Sequence, residues 1–89
     1  MVIYTIIFSH KAQKHKALLA QAKLENKAKR ILNIIQENPF QMPPPYEKLV
    51  GDLAGAYSRR INRQHRIVYQ VREETKEVFI LSMWTHYED

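Results

Sequence analysis

The sequence SRRINRQHRIVYQV, residues 58–71, predicts two β-strands and the turn between them. Branched and aromatic side chains on both sides of a short polar stretch are typical of an antiparallel pair. A further apolar segment follows a short turn at Glu73–Thr75, so its strand should also run antiparallel to the strand before it. The three strands are predicted at Ala56–Asn62, His65–Arg72 and Lys76–Thr85.

The N-terminal part predicts one strand followed by two helices. Val2–Phe8 is rich in β-branched and aromatic residues, which indicates a buried strand. Ser9 can cap a helix over Lys11–Ala22. A second helix is expected from Leu24 or Glu25 to Glu37, with one apolar stripe for burial formed by Ala28, Ile31, Leu32 and Ile35.

A proline-rich segment separates the helices from the strands. Asn38-Pro39 ends the second helix, and residues 38–46 are irregular and lead directly to Glu47. A chain of 89 residues allows one domain, residues 1–89. The expected fold is α+β, with two N-terminal helices packed on one face of a twisted, mainly antiparallel, four-stranded sheet.

Strand alternation predicts which side chains face the helices. In the second predicted strand the apolar set is Ile67, Tyr69 and Val71, and in the last strand it is Phe79, Leu81 and Met83. If both sets pack on the helices, Arg66 and His86 emerge together on the other face of the sheet. A β-bulge would reverse this parity.

Composition limits the classes of function. Lys and Arg number 14 against 9 Asp and Glu, giving a formal charge of +5, which favours a polyanionic partner such as nucleic acid. The sequence has no cysteine, so disulfides and thiolate zinc sites are excluded, as fits the cytoplasm. The apolar N-terminal run is too short to span a membrane, and two glycines cannot build a phosphate-binding loop.

Three side chains have the chemistry for cutting RNA without a metal. That reaction needs a general base for the ribose 2′-hydroxyl, a general acid for the 5′-oxygen and a cation for the transition state. Glu47, His86 and Arg66 are the matching residue types. No cofactor or metal is called for, and the spacing of His10 and His15 does not suit zinc.

Residue types alone leave other interpretations open. A glutamate after prolines is often an ordinary surface group, a histidine near a C-terminus is often idle, and strand arginines often only solvate a sheet. His65 adjoins the tight turn and is expected to be structural. A non-catalytic RNA- or DNA-binding module therefore remains an alternative to an enzyme.

The run PPPYEKLVGDLAGAYSRRINRQHRIVYQV, residues 43–71, followed by MWTHY at 83–87, resembles the Txe/YoeB toxins of the RelE superfamily. The resemblance implies an endoribonuclease that cleaves mRNA in the ribosomal A site and is silenced by a cognate antitoxin. It also implies a twisted antiparallel sheet with two helices on one face.

The resemblance assigns roles to individual positions. It makes Glu47 the general base, Arg66 the contact to the scissile phosphate and His86 the general acid. It links Arg60 to the substrate phosphates. The other candidates for substrate binding are Tyr87, Trp84, Arg59 and Lys48.

Two of these substrate-binding residues stand near departures from the family pattern. Val50 replaces a lysine of the YoeB branch, so Lys48 is the candidate cation there. Trp84 stands where that branch often has an arginine, and it can stack on a base or cover the sheet edge.

The expected partners are the antitoxin, the ribosome and mRNA, with no membrane. A homodimer or a toxin–antitoxin hetero-oligomer is expected, and a basic helix face would dock on ribosomal RNA through Lys11, Lys14, Lys27 and Arg30. Besides the binding module, an inactive toxin relative acting in a repressor complex is the remaining alternative.

Overall fold

The computed structural model describes residues 3–84, and its elements follow the predicted order closely. They are β1 (Thr5–Phe8), α1 (His10–Gln21), α2 (Glu25–Glu37), β2 (Glu47–Lys48), a 3₁₀ turn (Gly51–Leu53), β3 (Ala56–Arg60), β4 (Arg66–Arg72) and β5 (Glu77–Ser82). The five strands form one sheet in the order β1-β5-β4-β3-β2. The α+β class is confirmed, and the short β2 adds a fifth strand that the sequence did not predict.

The sheet is mixed because its first strand pairs with its last. β1 runs parallel to β5, with Thr5 opposite Glu77, while the other three pairings are antiparallel. The prediction that the first strand is buried was wrong. β1 lies at the edge of the sheet, so Thr5 is exposed and the rest of the strand is only half-buried.

Ser9 joins the first helix to the last strand. Its Oγ accepts a hydrogen bond from the Ala12 N–H at 3.0 Å, which confirms the predicted cap. The same hydroxyl donates to the Leu81 carbonyl at 2.9 Å. One side chain therefore begins α1 and holds it against β5.

The main core lies between the two helices and one face of the sheet. Leu19 and Ile35 project from the helices, and Ile67, Tyr69 and Ile80 from the sheet, all with 2% exposure or less. The helical stripe predicted from the sequence is part of this core, mainly through Ala28 and Ile35.

Among residues 3–84, neither helix is long and apolar enough to cross a membrane.

Ile35→Ala is expected to lower the free energy of unfolding by about 2–5 kcal/mol. Ile35 has 0% exposure, so the truncation leaves a cavity under α2 in addition to losing buried surface. Urea denaturation measures the change. Val50→Ala is the control because Val50 is 81% exposed, and a comparable loss in both variants would contradict this assignment of the core.

A β-bulge corrects the parity predicted for the last strand. Val68 pairs with Ser82 but Tyr69 pairs with Ile80, so Leu81 is the additional residue. Val78 and Ile80 therefore face the helices, and Met83 returns to that side after the bulge. The prediction was right for Met83 and wrong for Phe79 and Leu81. In β4 the predicted helix-facing set is confirmed.

The other face of the sheet carries a small apolar cluster of its own. Leu49, Ala56 and Val68 are buried there, with Leu53 and Leu81 packed around them. The segment that follows β2 thus folds back over the sheet. This packing covers part of the face. It leaves Glu47 and Arg60 exposed at the ends of β2 and β3, while Arg66 at the start of β4 is half-buried.

Candidate active site

Glu47 and Arg66 meet on the sheet face opposite the helices. Glu47 opens β2 and pairs with Ser58, while Arg66 opens β4 and pairs with Arg60. The Arg66 Nη1 atom lies 3.2 Å from the Glu47 Oε1 atom, and their side chains are 13% and 64% exposed. Two residues 19 positions apart in sequence, both predicted for the site, thus form an ion pair.

Arg60 brings a second positive charge to this pair. It is exposed and lies directly opposite Arg66 in the β3–β4 register, so both side chains project from the same face. Like charges directly opposite each other on a sheet are unfavourable unless an anion lies between them. The single carboxylate of Glu47 balances only one of the two, which leaves a surface suited to phosphate.

Two buried donors at this face have no hydrogen-bond partner among residues 3–84. They are the Ser58 hydroxyl and the Arg66 Nε. Ser58 is 2% exposed and lies in register between Glu47 and Val68. Ser58 was not among the residues predicted for the site. Only its position one residue before the two arginines pointed toward the site.

Arg59 is not available to a substrate, which corrects the sequence prediction. Its side chain is 1% exposed and projects from β3 toward the side opposite Arg60. Its donors are taken by the Tyr69 hydroxyl and by the carbonyls of Pro39, Gln41 and Pro44. The prediction that Arg59 binds substrate was therefore wrong.

The segment that carries Glu47 is held by aromatic packing. Phe40, Tyr46 and Tyr57 contact one another edge to face or tilted, with ring centroids 5.2–6.0 Å apart. The Met42–Pro43 and Pro43–Pro44 peptide bonds are cis. The aromatic contacts therefore hold this segment through Phe40 and Tyr46, whereas Pro43 and Pro45 are exposed.

Lys48 does not join the ion pair. It pairs with Tyr57, so strand alternation places it on the helix side of the sheet, away from Glu47. The candidate replacement for the missing lysine at Val50 is therefore directed away from the site. Val50 itself is 81% exposed.

Trp84 covers the start of β4. Its ring lies 4.4 Å from the His65 ring, and its carbonyl accepts a hydrogen bond from the Arg66 N–H at 2.9 Å. The His65 N–H in turn donates to the Asn62 Oδ1, which confirms the structural role predicted for His65. The chain after β5 thus continues alongside Arg66. His86 and Tyr87 lie outside the described residues.

His15 holds the same C-terminal stretch from the helix side. Its Nδ1 accepts a hydrogen bond from the Met83 N–H at 3.0 Å, which requires an unprotonated Nδ1. Burial lowers the pKa of His15, and the nearby Lys11 lowers it further.

Over residues 3–84, no three His, Asp or Glu side chains are grouped so as to hold a metal ion.

His15 should make the folded state less stable in mild acid. A lowered pKa in the folded state means that the unfolded chain binds the proton more readily. The contribution of His15 is therefore complete above its unfolded pKa of about 6.5 and is lost as pH falls through the lower, folded value. Urea midpoints between pH 8 and pH 5 measure this loss.

His15→Asn is the informative variant for that experiment. Asparagine keeps an acceptor for the Met83 N–H but does not titrate, so the midpoint should fall less between pH 8 and pH 5 than in the wild type. His10→Asn, the same substitution at the exposed start of α1, is the matched control. Identical curves for wild type and His15→Asn would refute the assignment.

Comparison with known proteins agrees with this architecture. Residues 11–87 match the family model described as the YoeB-like toxin of bacterial type II toxin–antitoxin systems. A toxin YoeB from Mycobacterium bovis is 37% identical over 70 residues, which cover 79% of this chain and 80% of the relative.

Two solved structures from Staphylococcus aureus share the fold at 34% identity. The heterotetrameric YoeB–YefM toxin–antitoxin complex superposes with a TM-score of 0.78 and covers 94% of this chain and 98% of its own. The YoeB dimer superposes with a TM-score of 0.80 and covers 97% and 100%. The matched residues and the shared fold together show that the chain belongs to the YoeB family of toxins from bacterial type II toxin–antitoxin systems.

Proposed function

We propose that the chain is a ribosome-dependent endoribonuclease that cleaves mRNA in the ribosomal A site. The observation that carries the proposal is the Glu47–Arg66 pair, with the two side chains 3.2 Å apart, beside Arg60 on the same face. A carboxylate within a cluster of arginines would weaken simple phosphate binding. A carboxylate is needed, however, if it removes a proton from the substrate. Its presence therefore favours the enzyme over a non-catalytic binding module.

In this mechanism Glu47 takes the proton from the ribose 2′-hydroxyl. The 2′-oxygen then attacks the adjacent phosphorus, and the bond from phosphorus to the 5′-oxygen breaks. Arg66 stabilises the additional negative charge because its planar guanidinium can donate two parallel hydrogen bonds to phosphate. The products are a 2′,3′-cyclic phosphate and a free 5′-hydroxyl.

His86 is the proposed general acid for the leaving 5′-oxygen. It follows Trp84, whose carbonyl is hydrogen-bonded to the Arg66 N–H, by two positions. Tyr87 and Arg60 would hold flanking phosphates.

A cognate antitoxin is the proposed partner in the silent state. The related Staphylococcus aureus toxin is found in a heterotetramer with YefM and also as a dimer. Acidic groups from an antitoxin would complement Arg60 and Arg66 and block access to Glu47. Four exposed cations on α1 and α2 would contact ribosomal RNA: Lys11, Lys14, Lys27 and Arg30.

Replacing the scissile ribose by 2′-deoxyribose should abolish cleavage of an mRNA bound to a programmed ribosome. The substitution removes the nucleophile, so no cyclic phosphate can form. Product ends are identified by mass spectrometry, with the all-ribose mRNA as the reference. Continued cutting at the deoxy position would mean that water is the nucleophile and would overturn the mechanism.

A further inference from the structure

Arg59 and Arg60 are neighbours in sequence with opposite surroundings, since one is 1% exposed and the other lies at the site face. We propose that Arg59 is a positioning residue that fixes Glu47 against Arg66 by holding the segment from Pro39 to Tyr46. Its catalytic consequence rests on the proposed function, whereas its effect on the segment does not.

All three nitrogens of the Arg59 guanidinium donate hydrogen bonds. Nη1 donates to the Pro44 carbonyl at 2.6 Å, and Nη2 donates to the carbonyls of Pro39 and Gln41 at 3.0 and 2.8 Å. Nε donates to the Tyr69 hydroxyl at 3.0 Å, and that hydroxyl donates to the Pro39 carbonyl at 2.8 Å. β3 and β4 thus hold three carbonyls of one irregular segment.

All of these acceptors are neutral. Neither ion pair in the described part of the chain involves Arg59. A buried charge without a counter-ion is unfavourable unless its hydrogen bonds are complete, and an apolar side chain would often give equal stability. A buried arginine of this kind is better explained by the single loop conformation that its planar fork imposes.

That conformation bears directly on Glu47. Pro44 precedes Glu47 by three positions, and the Tyr46 ring lies 5.1 Å from the Arg59 guanidinium. Glu47 belongs to a strand of only two residues and pairs with Ser58, the residue before Arg59. Strand alternation lets β3 hold the segment on one face while Glu47 meets Arg66 on the other.

The test is Arg59→Lys, which keeps the charge but loses the fork. Hydrogen exchange of residues 39–49 should be about tenfold faster or more, as expected when a segment loses its hydrogen bonds. Single-turnover cleavage on programmed ribosomes should slow by about tenfold or more, because small misplacements of a reacting group have large effects on rate. Binding to ribosomes carrying 2′-deoxy mRNA should stay within about twofold of wild type, since Arg59 touches no substrate.

Arg60→Lys is the matched control, with the same substitution one position away on the opposite face. It should leave hydrogen exchange of residues 39–49 at the wild-type rate. Tyr69→Phe provides a second route if Arg59→Lys does not fold. It removes the hydroxyl that contacts both Arg59 and Pro39 and should give smaller changes in the same directions.

The proposal is overturned if the amides of residues 39–49 exchange at the wild-type rate in folded Arg59→Lys. If that variant does not fold, the same result in Tyr69→Phe overturns it. Weakened binding to the 2′-deoxy complex in step with slower cleavage also overturns it, because that result makes Arg59 a substrate contact. If the wild-type protein does not cleave mRNA, the proposed function fails. Hydrogen exchange would still decide whether Arg59 positions Glu47.

Discussion

Glu47→Gln is expected to cleave ribosome-bound mRNA about 10²-fold or more slowly than the wild type. The amide keeps the size of the side chain and an oxygen that can face Arg66, but it cannot accept the proton of the 2′-hydroxyl. The loss should come without unfolding. Glu47 is 64% exposed although Arg66 is only 13% exposed, so the carboxylate itself stays in contact with water, and pairs open to water contribute only about 0–1 kcal/mol.

Single-turnover rates and urea midpoints, measured on the same preparations, separate the two effects. Glu74→Gln is the control, since Glu74 is an exposed carboxylate in the β4–β5 turn. Arg66→Ala and His86→Ala should show losses of similar size. Near-normal rates for Glu47→Gln and His86→Ala together would remove both from the catalytic assignment.

Free mRNA is expected to be cut at least about 10²-fold more slowly than the same mRNA in a programmed ribosome. In-line attack requires the 2′-oxygen, the phosphorus and the 5′-oxygen to be aligned. The described part of the site offers an exposed carboxylate and two arginines on a sheet face. Such a surface binds phosphate but has little with which to bend an RNA backbone.

Cleavage of one mRNA, free and ribosome-bound, at equal protein concentration tests this dependence. Glu47→Gln protein purified in the same way controls for contaminating nucleases. Equal rates on the two RNAs would show that the protein orients its substrate alone. The proposed function would then become that of a general ribonuclease.

Much of this fold could be predicted from side-chain periodicity. The Ser9 cap and the α2 stripe were recognisable because both depend on residues close together in sequence. The reversal at Phe79 and Leu81 was not, because the bulge arises from pairing with Val68 and Tyr69 across the sheet. β2 was missed because two residues are too few to show a period.

The candidate site, too, could be predicted only in part from the sequence. Residue chemistry and a family resemblance selected Glu47 and Arg66, and the structure places them in contact. They could not separate Arg59 from Arg60, because both are arginines in one motif. Only the strand register and the carbonyls of residues 39–44 distinguish them.

The parallel pairing of β1 with β5 bears on how the toxin is made. Thr5 leaves the ribosome long before its partner Glu77 is translated. Closing so long a loop is slow, and it cannot begin before Glu77 has been added. A nascent chain therefore cannot complete its sheet while most of it is still being translated. If the chain acts on ribosomes as proposed, the ribosome that makes it meets no folded product until Glu77 has been added.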